Sequence, residues 1–382
     1  MNLVAVLCIA GFSSSLALRS MDPMLPVLAG DLGISFHDAA LLITVYSVPY
    51  AATLLLLGPA ADAIGKGRLI HLCLAGFALS LVVSAAAPGY WWLFWSRATA
   101  GAFAGGLIPV ALALIGDRVP FADRQLAISR FLLVTIVGQM SGAIVTGTLA
   151  ELVGWRAIFT LLALVAVAAT IVTRPSFMPP TDASTRQMTL NGVWSDYQAV
   201  FENPISPLIL GMAAAEGSLV LGILSFVAPL LARHEASGVL EAGIAIAAFA
   251  LGGITYGAMA RFLLGMFRPP HLVRIGGVIA GSMYVAAALP VHWITVVGFF
   301  YFAGFGLFML HNTLQTQATE LAPRARGSAM ALFAAALFLG QGGGPLLGGA
   351  VTQVSSVDTL FVCAGLLILL FSLASARLVR ER

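Results

Sequence analysis

The stretch Gly58-Pro-Ala-Ala-Asp62-Ala-Ile-Gly65-Lys66-Gly-Arg68 is a short polar break between two apolar runs, Ala39 to Leu57 and Leu69 to Ala87. Each flanking run approaches the ~20 residues an α-helix needs to cross a bilayer. The glycines of the break permit a tight turn and close helix approach, and Asp62 can face the positive N-terminus of a neighbouring helix. Outward from this loop the alternation of apolar run and short polar break repeats along the chain. It predicts six spans in the first half: Val4 to Leu28, Ala39 to Leu57, Leu69 to Ala87, Trp91 to Ile115, Leu126 to Leu149 and Ala157 to Thr173. After a longer segment rich in Pro, Thr, Ser and Asp, six more follow: Ile205 to Leu231, Ala242 to Leu264, Leu272 to Leu289, Ile294 to Gln317, Ala329 to Val351 and Thr359 to Ala376.

Composition agrees with this reading. Of 382 residues, 60% are hydrophobic and 9% charged, with mean hydropathy +0.98. A soluble domain carries about 25% charged residues, so the solvent for most of these side chains is lipid or other helices. The fold class expected is an all-α membrane protein. Three units are expected: residues 1–173, a cytoplasmic linker 174–203, and residues 204–382. The opening MNLVAVLCIAGFSSSLALRS lacks a basic segment before its apolar run and is read as a retained first span. With the N-terminus inside, fifteen of the nineteen lysines and arginines fall at or near the cytoplasmic face. Such residues accumulate there, which predicts a multi-pass inner-membrane protein with both termini cytoplasmic.

The net charge of +3 comes without a basic stripe for phosphates, so no nucleic-acid partner is expected. Cys8, Cys73 and Cys363 lie far apart in apolar runs without metal-ligand spacing, and they are read as packing residues; no metal is expected. There is no phosphate-binding glycine loop, no pair of metal-spaced histidines and no nucleophile elbow, so the chain is read as a non-enzyme.

Four charges sit inside the spans: Arg19, Asp22, Arg97 and Glu216. Charges at hydrocarbon depth are costly and mark substrate or ion pathways, or pair with one another. Arg19 and Asp22 stand three apart on one helix face. Either they neutralise each other, or Asp22 exchanges a proton and Arg19 attracts an anionic substrate group. Glu216 has no base near it in sequence, which makes it the first candidate for a proton carrier or for a ligand of a cationic substrate. Arg97 keeps its charge and can act on a nearby acid or serve as a strut. Polar residues that could line a cavity are Tyr46 and Tyr50 in the second span, Gln139 in the fifth, and His311, Asn312, Gln315 and Gln317 in the tenth. His311 is read more readily as lying near cytoplasmic water than as a ligand.

An internal echo relates the halves: GQMSGAIVTG, Gly138 to Gly147, in the fifth span and GQGGGPLLGG, Gly340 to Gly349, in the eleventh. Such parallel repeats mark secondary transporters. Small residues at this spacing, Gly138, Gly142, Gly147 and Gly344, let backbones approach, and Pro345 bends its span.

The loop Gly58 to Arg68 resembles the signature loop of the major facilitator superfamily, G-x-x-x-D-(R/K)-x-G-(R/K)-x-(R/K), with Ala63 where a basic residue is usual. The fourth-span LFWSRATAGAFAGG resembles that family's R-x-x-x-G motif. GQMSGAIVTG resembles its antiporter motif, with Ala143 in place of proline and Thr146 in place of glycine. Asp22-Pro-Met-Leu-Pro26 and GWRAIF, Gly154 to Phe159, extend the resemblance over the whole chain, and the twelve-helix drug/proton antiporter branch is most similar. The resemblance implies two six-helix bundles around a central cavity that opens alternately to each side. It also implies a conformational latch of Gly58, Asp62, Gly65, Lys66 and Arg68, with Lys66 pairing with Asp117, and a coupling role for Arg97. A second loop copy, Gly257 to Arg268, has Arg261 in place of the acid, which implies an asymmetric latch.

The function expected is proton-coupled export of a small amphipathic compound. Asp22, Arg97 and Glu216 would handle the proton, and Arg19, Tyr46, Tyr50, Gln139, Glu216, His311, Asn312 and Gln315 the substrate. The proton gradient supplies the energy, no cofactor is needed, and a monomer in the lipid bilayer is expected. The alternative is uptake or exchange of a polar metabolite such as a sugar or organic anion, with Arg19 and Arg97 as anion ligands. A third reading is a non-transporting sensor, against which stands the lack of an extended soluble domain in this sequence.

Overall fold

The structure is a computed structural model that describes residues 3–177, 190–233 and 238–375. The side chains at positions 58, 59, 62, 63, 121, 122, 190–193, 374 and 375 lie outside that description. Every element among the described residues is helical. The first half comprises α1 (Leu3–Leu32), α2 (Phe36–Ile64), α3 (Lys66–Ala85), α4 (Tyr90–Ala104) with α5 (Leu107–Arg118), and α6 (Phe121–Phe177). Helix α7 (Leu190–Phe201) precedes the second half: α8 (Ser206–Glu216), α9 (Val227–Leu231), α10 (Val239–Met266), α11 (Pro269–Ala287), α12 (Trp293–Thr319), α13 (Arg326–Val354) and α14 (Val357–Ser375).

These make twelve crossings among the described residues, because α4 and α5 share one crossing, α8 and α9 share another, and α6 makes two. Gly154 divides α6: its φ of 76° lies in the left-handed region open to glycine, and the chain reverses there. The GWRAIF run supports that corner. Trp155 is fully buried, and Arg156 lies 4.1 Å over its ring while donating to the Ala87 carbonyl beyond the end of α3. The α2–α3 corner is built similarly. Gly65 has φ 84°, and its N–H caps the Ala61 carbonyl before Lys66 begins the next helix.

Three elements depart from the expected spans. The fourth is interrupted at Gly105–Gly106, where added Cβ atoms would stand 2.6 Å from the Tyr50 carbonyl and 2.5 Å from Cys73 Sγ. The seventh leaves α-geometry directly after Glu216: residues Gly217–Gly222 form a π-helix and Ile223–Phe226 a 3₁₀ turn before α9. Within the linker 174–203, the sixth crossing runs on to Phe177 and α7 occupies 190–201; residues 178–189 lie outside the described set.

Packing reproduces the repeat. Gly142 of the fifth crossing lies against the Leu16 carbonyl of the first, and Gly340 of the eleventh against the Ala214 carbonyl of the seventh; Cβ atoms there would fall 2.0 and 1.9 Å away. Gly101 of the fourth meets the Tyr46 carbonyl of the second, and Gly304 of the tenth meets the Phe249 carbonyl of the eighth. The first and fifth crossings thus pair as the seventh and eleventh do, and the second and fourth as the eighth and tenth do. Gly147 and Gly344 serve differently from each other: Gly147 backs onto Gly243 across the two halves, whereas Gly344 backs onto Gly222 within the second.

The face carrying the start of α1 and helix α7 is called the linker face here. At the opposite, far face the halves close on each other. Phe36 and Phe226 have ring centroids 5.4 Å apart, and Gly349 backs onto the His37 ring. Near mid-membrane, Thr44 donates to the Gly342 carbonyl at 2.6 Å, and Tyr50 stacks on Phe338 at 3.9 Å.

Candidate functional site

The four intramembrane charges separate into two groups. In the first half, Arg19 and Asp22 form an ion pair at 3.4 Å, both buried, as their i, i+3 spacing on α1 predicts. Arg97 from α4 is 1% exposed and lies 4.3 Å over the Tyr46 ring and 5.9 Å from the Phe159 ring centroid. It also interacts electrostatically with Asp22. Its Nε and Nη1 have no protein partner among the described residues, and neither has the Tyr46 hydroxyl. Buried polar atoms are nearly always satisfied, so a cluster of unpaired ones marks a place where polar chemistry is kept available.

In the second half Glu216 is not isolated. Its Oε1 lies 2.7 Å from Nδ1 of His311 on α12, while Oε2 has no protein partner among the described residues. His311 therefore does not belong to a run near cytoplasmic water. It sits eight residues before the end of α12, about 12 Å along the axis, and flanks Phe333 and Phe308. The separation of 95 residues is why no local pattern revealed the pair.

The π-helix joins the two groups. An i to i+5 pattern loosens the carbonyls of the turn, and two of them are taken by side chains. Tyr284 of α11 donates to the Val220 carbonyl at 2.9 Å, and Arg19 reaches across the halves to the Leu221 carbonyl at 3.5 Å. A cavity of about 40 Å³ lies beside this contact, lined by Arg19, Gln139, Leu221, Phe249 and Phe308 among others. That volume suits one water rather than a drug-sized molecule.

Of the other predicted site residues, Tyr46 and Tyr50 lie 6.0 Å apart, and Tyr50 extends to Phe338 of the second half. Asn312 engages Tyr256 of α10. Gln315 is half-buried one turn nearer the linker face, without a hydrogen bond among the described residues. In the signature loop, Lys66 and Asp117 form an ion pair and Arg68 is exposed; the Asp62 side chain lies outside the described residues. No group of three or more metal-binding side chains occurs among the described residues. Tyr284, Thr44, Phe338 and the π-helix were not anticipated, since nothing in local sequence separates them from ordinary packing.

Residues 7–341 match the family model described as Major Facilitator Superfamily. The chain is 36% identical over 133 residues to the puromycin resistance protein pur8 of Streptomyces alboniger, covering 35% of this chain and 26% of that one. It is 35% identical over 156 residues to the multidrug efflux pump LfrA of Mycolicibacterium smegmatis, covering 41% and 31% respectively. These matches span about a quarter to a third of those relatives' length. An uncharacterized MFS-type transporter of Bacillus subtilis, YfhI, is 29% identical over 305 residues, 75% of this chain and 70% of that one. Among solved structures, the nucleoside transporter NupG superposes with a TM-score of 0.80 at 15% identity over 100% of both chains. At that identity the likeness is one of fold.

Proposed function

The chain belongs to the Major Facilitator Superfamily, and on that premise we propose that it is a proton-coupled secondary transporter exporting a small amphipathic compound. It works by alternating access in the cytoplasmic membrane, as a monomer with both termini inside. The supporting observation is the buried Glu216–His311 pair at the junction where the seventh crossing turns from α to π. A carboxylate and an imidazole at 2.7 Å can share one proton, and a second proton changes the charge of the pair. A change there alters the segment whose Leu221 carbonyl holds Arg19 of the opposite half. Loading the pair therefore bears on the contact between halves, which is what coupling requires.

Substrate is proposed to bind between Arg19, Gln139, Tyr46, Tyr50 and Arg97 on one side and the face of α12 on the other. Asp22 and Arg97 form a second charge cluster whose balance changes if Asp22 takes a proton. Lys66, Asp117 and the signature loop latch one end state. No cofactor is needed beyond the proton gradient. Efflux is favoured by the drug-resistance and efflux relatives. A polar importer is the second reading, favoured by the unpaired Arg97 nitrogens, which suit an anionic group.

Both are tested on the full chain in liposomes with puromycin as first probe, recording internal pH and substrate together. Export by exchange moves the two in opposite directions; import moves them in the same direction. Glu216→Gln is expected to abolish coupled movement while leaving folded protein in the membrane. Wild-type exchange in that variant removes Glu216 from the mechanism.

A further inference from the structure

Besides the two carbonyls that Tyr284 and Arg19 take from other helices, a third in the seventh crossing is taken from within it: Ser225 donates to Gly222 at 2.7 Å. Val220, Leu221 and Gly222 thus accept from side chains in unbroken succession. Tyr284 and Ser225 are buried and belong to the second half, as does the segment they serve, whereas Arg19 comes from the first. The three carbonyls close the π-helix Gly217–Gly222, directly before the pitch tightens to 3₁₀ at Ile223.

Helix geometry explains why outside donors matter here. In an unbroken α-helix these carbonyls would accept from the N–H groups of Leu224, Ser225 and Phe226. A regular seventh crossing would therefore offer Arg19 only a carbonyl already engaged along the helix axis. The irregular turn is also walled on one side. Gly217 lies against the Leu337 carbonyl and Gly222 against Gly344, both on α13, with no room for a Cβ at either. The segment cannot shift toward α13, so the side chains on its other flanks set where its carbonyls point. The Tyr284 phenol also interacts electrostatically with Arg19 and Asp22, which places it beside the contact between halves.

We propose that Tyr284 and Ser225 are positioning residues for transport: by occupying the carbonyls on either side of Leu221 they keep this turn out of α pitch and leave the Leu221 carbonyl open to Arg19 when the halves meet. This rests on the transport reading above and adds to it a receiving site built by one half and used by the other. Without the Tyr284 hydroxyl, the buried Val220 carbonyl loses a donor, and a buried carbonyl without a partner is costly. Return to α pitch supplies the Leu224 N–H instead and engages Leu221 as well. The bond from Arg19 is then lost, although Arg19 itself is unchanged. Ser225→Ala acts in the same way through Gly222.

The test uses the full chain in nanodiscs with spin labels at Ala86 and Val354, exposed positions at the far-face ends of α3 and α13, after Cys8, Cys73 and Cys363 are replaced. Distance distributions give the ratio of far-face-closed to far-face-open molecules. Tyr284→Phe is expected to lower that ratio about fivefold, the worth of one net hydrogen bond. In a background of Arg19→Met with Asp22→Asn, which removes the buried pair together, Tyr284→Phe is expected to leave the ratio unchanged. Such non-additivity is what a residue acting through another shows. An equal loss in both backgrounds overturns the proposal and makes Tyr284 a strut of the second half; no change in either overturns it too. Ser225→Ala carries the same expectation and decides the matter if Tyr284→Phe fails to fold. In Glu216→Gln the effect of Tyr284→Phe is expected to persist, so a failure of proton coupling and a failure of positioning are read separately.

Discussion

At Gly340 a methyl group has nowhere to go. Its Cβ would stand 1.9 Å from the Ala214 carbonyl oxygen, a backbone atom that can yield only if the seventh and eleventh crossings separate. Gly340→Ala and Gly142→Ala are each expected to destabilise the protein by about 1–3 kcal/mol, the usual cost of overpacking. Thermal unfolding in detergent checks this. Gly343→Ala is the control, since nothing lies within 4 Å of its added Cβ. The glycine repeat was legible because small residues at four-residue spacing have one common use, close backbone approach. The Arg19–Asp22 contact was one of two open readings, since both partners lie on one helix turn while either could instead serve a proton or a substrate. Glu216 was legible as unusual, but its partner was not. A contact with His311 depends on how α8 and α12 rotate and tilt, which no local spacing encodes.

At the scale of the element, helix α7 solves a problem set by α2. Pro59 has no N–H, so the Leu55 carbonyl four residues earlier loses its helical donor. The Tyr197 hydroxyl supplies one at 2.7 Å. Burial, and then the neighbouring Asp196, hold the Tyr197 hydroxyl above its ordinary pKa, so it remains a donor well into the alkaline range. Three residues later Val200 is fully buried in the second half's core beside Ile209 and Met212. Helix α7 therefore ties the signature-loop end of α2 to the other half. Tyr197→Phe is expected to cost about 1 kcal/mol, the typical worth of such a bond. In a Pro59→Ala background the restored N–H serves the carbonyl, and the cost of Tyr197→Phe should vanish. Equal losses in both backgrounds would show that the hydroxyl acts elsewhere. Sequence marked this region as a polar, proline-containing linker, and that composition concealed a twelve-residue helix whose order depends on its neighbours.

Over the whole molecule, contact between the halves runs from the far face to the centre, through His37–Gly349, Phe36–Phe226 and Thr44–Gly342. Replacing His37 and Gly349 with cysteines, after removal of Cys8, Cys73 and Cys363, is expected to give a disulfide that stops turnover until it is reduced. Unimpaired transport in the oxidised protein would show that the far face need not open. Twelve crossings were readable from hydropathy, because the bilayer fixes the length of every span, and their duplicated order from the glycine-rich echo between Gly138–Gly147 and Gly340–Gly349. Closure at the far face was not readable. It rests on contacts between residues of different halves, such as His37 with Gly349 and Phe36 with Phe226, which no local pattern encodes. The duplication also stops short of the seventh crossing. The seventh crossing passes through a π segment and then a 3₁₀ turn between Glu216 and α9, whereas its counterpart α1 continues without interruption to Leu32. One half of the repeat thus carries an irregularity that the other lacks. Glu216, just before it, meets His311 of its own bundle, while the Leu221 carbonyl within it takes Arg19 of the opposite half, so the irregular turn stands between a contact inside one half and a contact across both.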